Sequence, residues 1–133
     1  MTGRIYLDAT IVIYLVEQVS PFAAAVEARL RQTGIVLVAS ELTRLECRVK
    51  PLRLGDVNLL RNYDEFFNTA VSEITPLSAD VIDRATAIRA PYGFKTPDAI
   101  HLAAAVVSGC DVFLTNDSQF DRFTDIKVEL VQP

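Results

Sequence analysis

Acidic side chains are the residues of this chain whose types and spacing could do chemistry. Seventeen of its 133 residues are Asp or Glu, against one histidine and two cysteines. Asp8 directly follows Arg4-Ile5-Tyr6-Leu7, and Asp117 lies just past Phe113-Leu114-Thr115, so each ends a segment that reads as a short strand. Asp111 begins the second of these segments, roughly 20 Å from Asp117 at about 3.3 Å per residue, and reads as a solvated strand start. Glu46 falls within an apolar helical stripe of Leu42, Leu45 and Val49 in the stretch after Ser40. A carboxylate among inward-facing leucines costs several kcal/mol unless it is paired or bound to a cation. Glu41, beside Arg44 and Arg48, reads as solvated instead. Asp98 follows Thr96-Pro97, a helix-start signal that puts Thr96 at the cap and Pro97 in the first turn. Alone, an acid there is a partner for the helix dipole, worth roughly 0.3–1 kcal/mol. His101, three residues on, shares its face and reads as a supporting residue that hydrogen-bonds Asp98 or a backbone carbonyl.

Carboxylates brought together from separate elements repel one another unless cations neutralise them. Ligation by oxygen alone favours Mg²⁺ or Mn²⁺ over zinc. Cys47 and Cys110 lie far apart and outside any CxxC arrangement, and with a single histidine there is no zinc constellation. They read as small buried thiols of a reducing compartment. No glycine-rich phosphate loop is present to cradle a nucleoside triphosphate. Phosphodiester hydrolysis assisted by a divalent cation is the chemistry that this set of residues suits.

The elements that would position these groups alternate between strands and helices. Strands are expected at Arg4–Leu7, Ile35–Val38, Val71–Thr75, Val112–Thr115 and Lys127–Val131. Helices are expected after Asp8, over Phe22 to Arg31, from a Ser40 cap to about Val49 with Pro51 outside it, after Gly55-Asp56, after a Ser78 cap, and after Thr96-Pro97. This alternation predicts an α/β fold with a mainly parallel sheet flanked by helices, its functional groups at the carboxyl ends of the strands. At this length the chain makes one domain, residues 1–133. No signal peptide or membrane span is read from it, so a cytoplasmic protein with no membrane association is expected. The net charge of −4 opposes nucleic-acid binding, yet Arg44, Arg48, Lys50, Arg53 and Arg61 cluster against only Glu46 and Asp56. That segment is either a phosphate-binding strip or a solvated helix face.

Four segments together resemble the PIN-domain ribonucleases, in particular the VapC-type toxins of toxin–antitoxin pairs. They are Arg4-Ile5-Tyr6-Leu7-Asp8-Ala9-Thr10, Ser40-Glu41-Leu42-Thr43-Arg44-Leu45-Glu46, Thr96-Pro97-Asp98-Ala99-Ile100-His101-Leu102-Ala103 and Leu114-Thr115-Asn116-Asp117-Ser118-Gln119-Phe120. The resemblance spans essentially the whole chain, and four motifs in order are specific where one is not. It implies a three-layer sandwich around a five-stranded sheet and Mg²⁺- or Mn²⁺-dependent cleavage of RNA. It further implies a homodimer and inhibition by a cognate VapB-type antitoxin. By carry-over, Asp8, Glu46, Asp98 and Asp117 are the catalytic and metal-binding acids, with Asp121 a candidate helper four residues after Asp117. Thr10, Thr115, Arg44 and Arg48 are the expected substrate-binding residues. Thr10 stands where the family usually has Ser or Asn; it keeps a hydroxyl but adds a β-branch. Asn116 reads as a turn residue.

Two rival readings exist. One is a catalytically silent PIN-like module that binds RNA or a protein, against which the four intact acids argue. The other is a phosphohydrolase with Asp8 as nucleophile, a pattern that wants a second Asp where Thr10 stands and leaves Glu46 unexplained.

Overall fold

Short apolar strands separated by helical stretches require crossovers that return each strand parallel to the last. The computed structural model describes residues 3–133. In chain order its elements are β1 (Gly3–Leu7), α1 (Ala9–Glu17), α2 (Phe22–Arg29), β2 (Ile35–Ser40), α3 (Glu41–Leu54) and α4 (Val57–Thr69). These are followed by β3 (Glu73–Thr75), α5 (Ala79–Tyr92), α6 (Thr96–Val107), β4 (Val112–Thr115), a short 3₁₀ turn (Ser118–Arg122) and β5 (Lys127–Leu130). The strands form one sheet in the order β3-β2-β1-β4-β5, and every pair is parallel. This is the expected α/β sandwich.

Alternate residues of each strand bury against opposite layers. Ile5, Leu7, Ala39 and Leu114 face the layer of α1, α2 and α4, which contributes Val12, Val26, Tyr63 and Phe67. Tyr6, Val38 and Phe113 face α5 and α6, which contribute Val81, Ile88 and Leu102. Burial on both faces explains why the strands are apolar throughout rather than alternating. The chain runs outward from β1 through β2 to β3, then crosses back to β4 on the other side of β1. The carboxyl ends of β1 and β4 therefore flank the point where strand order reverses, and connections leaving in opposite directions open a crevice there.

Two strands enter their helices without a loop. Asp8 closes β1 and caps α1, accepting from the Ala9 N–H at 2.8 Å. Ser40 closes β2 and caps α3 reciprocally. The Thr43 N–H donates to Ser40 Oγ at 3.4 Å, and the Ser40 N–H donates to Thr43 Oγ1 at 3.1 Å. Ser78 caps α5 through the Val81 N–H, as its sequence context predicts.

Several boundaries differ from expectation, among them β2, which runs on to Ser40, and β5 and α2, which end at Leu130 and Arg29; three others have a clear physical cause. Helix α3 passes through Pro51 to Leu54, so a proline does sit inside it. The ring is buried, and in the last turn it forfeits only one N–H bond. Gly55, at φ 67°, then ends the helix, with its own N–H and that of Asp56 satisfying the Leu52 and Pro51 carbonyls. Strand β3 begins at Glu73, because the Val71 N–H bonds back to the Phe66 carbonyl at the end of α4. Helix α6 is capped by Lys95, so Thr96 is its first helical residue and makes no side-chain cap bond. The first-turn N–H groups lack intrahelical acceptors, so proline is tolerated at more than one position there, and Thr-Pro marks a helix start without specifying the cap. No single helix among the described residues is long and apolar enough to cross a membrane.

Phe113 lies at the centre of the second layer, its ring 5.4 Å from Tyr6 and 4.9 Å from Phe120. Phe113→Ala is expected to lower the free energy of unfolding by about 3–5 kcal/mol. Urea unfolding followed by circular dichroism measures this, and a loss under about 1 kcal/mol would remove Phe113 from the packing centre.

Candidate active site

Asp8 is buried at the carboxyl end of β1, and its second carboxyl oxygen accepts from the Thr115 hydroxyl at 2.7 Å. The same hydroxyl accepts from the Asp117 N–H at 3.1 Å, so one side chain ties the end of β1 to the end of β4. Thr115 is fully buried. Its hydroxyl is taken up by Asp8 and the Asp117 N–H, so the structure places it behind the acids and not among the residues that line the cleft. Burial pushes the Asp8 carboxyl above the usual carboxylate range; His101, Thr115 and the Ala9 N–H draw it back, while Glu46 pushes it up again.

Asp117 begins the 3₁₀ turn, accepting from the Gln119 N–H at 3.0 Å. The Gln119 side-chain amide donates both to Asp117, at 2.7 Å, and to Asp98 in the first turn of α6, at 3.2 Å. Gln119 was missed in the sequence because an exposed glutamine in a polar turn carries no spacing signal. The Asp98 carboxyl is also raised, first by burial and next by Asp8, with His101 opposing and Asp117 and Glu46 adding to the rise. The four acids singled out in the sequence thus feel one another's charge.

Glu46 reaches the same place from α3, but not from a buried leucine stripe. The buried face of α3 is Thr43, Cys47 and Pro51, while Leu45 and Val49 are 56% and 46% exposed. The small Cys47 lets this helix approach α1 closely, its Sγ 3.8 Å from the Ala9 carbonyl, while Leu45 and Val49 line the cleft. Glu46 itself is half-buried, with one oxygen 2.6 Å from His101 Nε2. His101 is buried, and its Nδ1 lies 2.7 Å from the Tyr6 hydroxyl. Its partner is therefore Glu46, not Asp98 or a carbonyl.

Asp8, Glu46, Asp98 and Asp117 line one open cleft of about 480 Å³, with Thr10 and Asn116 on its walls. No Lys or Arg lines it among the described residues. Asn116 is more than a turn residue, since its amide donates to the Tyr14 hydroxyl. Asp121 is exposed and does not line the cleft, so the structure does not gather the candidate helper with the four acids. Asp111 lies at the far end of β4, accepting from the Arg4 N–H at 3.0 Å. Arg44 pairs with Glu41 at 2.5 Å, and Arg48 Nε lies 2.9 Å from Asp64 Oδ1 but buried and not aligned for a hydrogen bond. Both arginines line a separate groove of about 290 Å³, which shares Leu45 and Val49 with the acidic cleft. Burial raises the Cys47 and Cys110 thiols, which makes both poor nucleophiles.

The donor set fits a hard divalent cation: carboxylate oxygens, an excess of negative charge, and no Lys or Arg lining the cleft among the described residues. Among the described residues no three acidic, histidine or cysteine side chains form a ready-made ligand cage. The acids stand on the walls of the cleft rather than meeting at a point, as uncompensated like charges should.

The sequence matches the PIN domain family over residues 5–126. No curated protein sequence is significantly similar to it. Among solved structures, VapBC2 from Rickettsia felis bound to a promoter DNA fragment aligns with a TM-score of 0.78 at 14% identity, covering 97% of this chain and 99% of that one. VapBC-1 from nontypeable Haemophilus influenzae aligns at 0.74 with 19% identity, covering 96% and 97%. Mycobacterium tuberculosis VapC20, a sarcin–ricin loop cleaving toxin, aligns at 0.66 with 14% identity, covering 82% and 86%. At these identities the likeness is one of fold. With the family match running from β1 to the residue before β5 and the four acids at the carboxyl end of the parallel sheet, the chain belongs to the PIN domain family.

Proposed function

We propose that this protein is a Mg²⁺- or Mn²⁺-dependent endoribonuclease toxin of the VapC type. One observation carries the reading: carboxylates from four separate elements line a single open cleft that has no Lys or Arg to neutralise them. Asp8, Glu46, Asp98 and Asp117 would hold the cation. When bound, it supplies neutralisation of the acids, attachment of a phosphate and activation of water.

The chain's own groups do the rest. Thr115 and the Ala9 N–H keep Asp8 aimed into the cleft, and Gln119 spaces Asp98 from Asp117. Thr10 lines the cleft wall, where its hydroxyl would meet a ribose or phosphate oxygen. Arg44 and Arg48, in the adjoining groove, exchange Glu41 and Asp64 for RNA phosphates. The same reading carries a VapB-type antitoxin as partner and a homodimer as the assembly unit. The likeness to VapBC complexes supports the antitoxin, and the exposed Leu45, Val49 and Leu52 along α3 offer it an apolar rim beside the cleft.

Asp98→Asn is expected to lower the rate of RNA cleavage by on the order of 10²–10³-fold, through a weakened hold on the cation that would stabilise the charge of the reacting phosphate. EDTA is expected to abolish wild-type cleavage and Mn²⁺ to restore it; cleavage that resists EDTA would remove the metal from the reading. The raised Asp98 carboxyl has a signed consequence for stability. Its proton is bound more tightly in the folded protein, so the metal-free fold loses stability as pH rises from the ordinary aspartate range through the elevated folded value. Asp98→Asn should therefore raise the metal-free Tm at neutral pH and flatten its dependence on pH. A lower Tm at neutral pH, measured by thermal denaturation in EDTA, would contradict this. Arg48→Ala should weaken RNA binding and reduce the slope of log Kd against log salt by about 0.7, the share of one single-strand phosphate contact. An unchanged slope would return Arg48 to a purely structural ion pair.

A further inference from the structure

The four acids are not held alike. Asp8 accepts from Ala9 and Thr115, Asp117 from the backbone and side chain of Gln119, and Asp98 from Gln119. Glu46 is longer, with three rotatable bonds, and springs from a half-exposed position in the second turn of α3. The group that restrains it is His101 Nε2, at 2.6 Å. A carboxylate only accepts, so Nε2 is the protonated nitrogen facing it.

His101 is itself held from behind. Its ring is 2% exposed, its Nδ1 lies 2.7 Å from Tyr6 Oη, and the two rings meet edge-on with centroids 5.8 Å apart. Tyr6 is fully buried and stacked on Phe113, and its hydroxyl donates to Ser40 Oγ at 2.8 Å and lies 3.3 Å from Thr43 Oγ1. Ser40 and Thr43 are the reciprocal cap of α3, the helix that bears Glu46. The contacts thus close a circuit: from the cap of α3 to Tyr6 on β1, to His101 on α6, to Glu46, and back to α3. His101 is 2% exposed and its two ring nitrogens face Glu46 and Tyr6, so its effect on the cleft runs through Glu46.

We propose that Tyr6 and His101 are positioning residues that preset Glu46 toward the cleft to receive a divalent cation. This rests on the metal-dependent reading above, whose own failure is separable in the test. Mn²⁺ binding is measured by electron paramagnetic resonance of the free ion and by calorimetry, without RNA, with circular dichroism on the same samples. His101→Leu is expected to fold and to weaken Mn²⁺ binding by about 10–100-fold, the usual effect of removing a group that orients a ligand. His101→Gln, which keeps an N–H donor near the position of Nε2, should recover most of that loss, to within about threefold of wild type. Tyr6→Phe should weaken binding to an intermediate extent.

A folded His101→Leu protein that binds Mn²⁺ as tightly as wild type overturns the proposal. So does His101→Gln binding as weakly as His101→Leu, since the donor would then not be what matters. Should Tyr6→Phe fail to fold, the two His101 variants decide. Failure of the metal reading itself appears differently: the wild type then binds no more Mn²⁺ than Asp98→Asn.

Discussion

Mutual repulsion among carboxylates gathered at one end of a parallel sheet is the constraint that orders this molecule. Three of the four acids are placed where backbone N–H groups offset part of it. Asp8 caps α1, Asp98 stands in the first turn of α6, and Asp117 caps the 3₁₀ turn. Helix starts offer unsatisfied donors and a partial positive charge, so an anion there is favoured rather than merely tolerated. Glu46 is the exception. It lies within α3, away from any helix start, and its compensation comes from a buried histidine on another helix.

Compensation of this kind is incomplete. The Asp8 and Asp98 carboxyls remain above the ordinary range, and both feel other members of the group. A fold that leaves such a charge excess facing an open cleft gives up stability at a site where a cation can recover it. The electrostatic cost is thereby concentrated in the cleft, while the two layers on either side of the sheet are ordinary apolar packing.

Short connections do much of the positioning. With β1 entering α1 through Asp8, and β2 entering α3 through Ser40, little chain lies between sheet and site, and each capping residue belongs to both elements. Thr115 and Gln119 then brace the β4 side to β1 and α6. A polar layer made of Tyr6, Ser40, Thr43 and His101 extends the same arrangement into the interior, where each member finds a partner. Buried polar groups that are fully satisfied in this way restrict the packing to one arrangement.

The amino-acid sequence by itself determined the alternation of strands and helices, the parallel sheet and the family, because apolar periodicity, caps and the four motifs are local and survive without knowledge of contacts. It also singled out Asp8, Asp98 and Asp117, since strand ends and helix starts can be read from neighbours in the chain, and Glu46 through a stripe of Leu42, Leu45 and Val49 that the structure does not bury. Only tertiary structure decided which face of α3 is buried. Hydropathy favoured the leucines, but Thr43 is drawn in by Ser40 and Tyr6 and Cys47 by the approach to Ala9, which turns Leu45 and Val49 outward. It alone showed that Thr115 is a brace, that Gln119 spans two acids, and that Asp121, near in sequence, does not line the cleft. It alone paired His101 with Glu46, fifty-five residues away, rather than with Asp98 three residues before it. The reason is the same in each case: local sequence sets backbone direction and polarity, whereas side-chain partners depend on distances between elements that no spacing along the chain encodes.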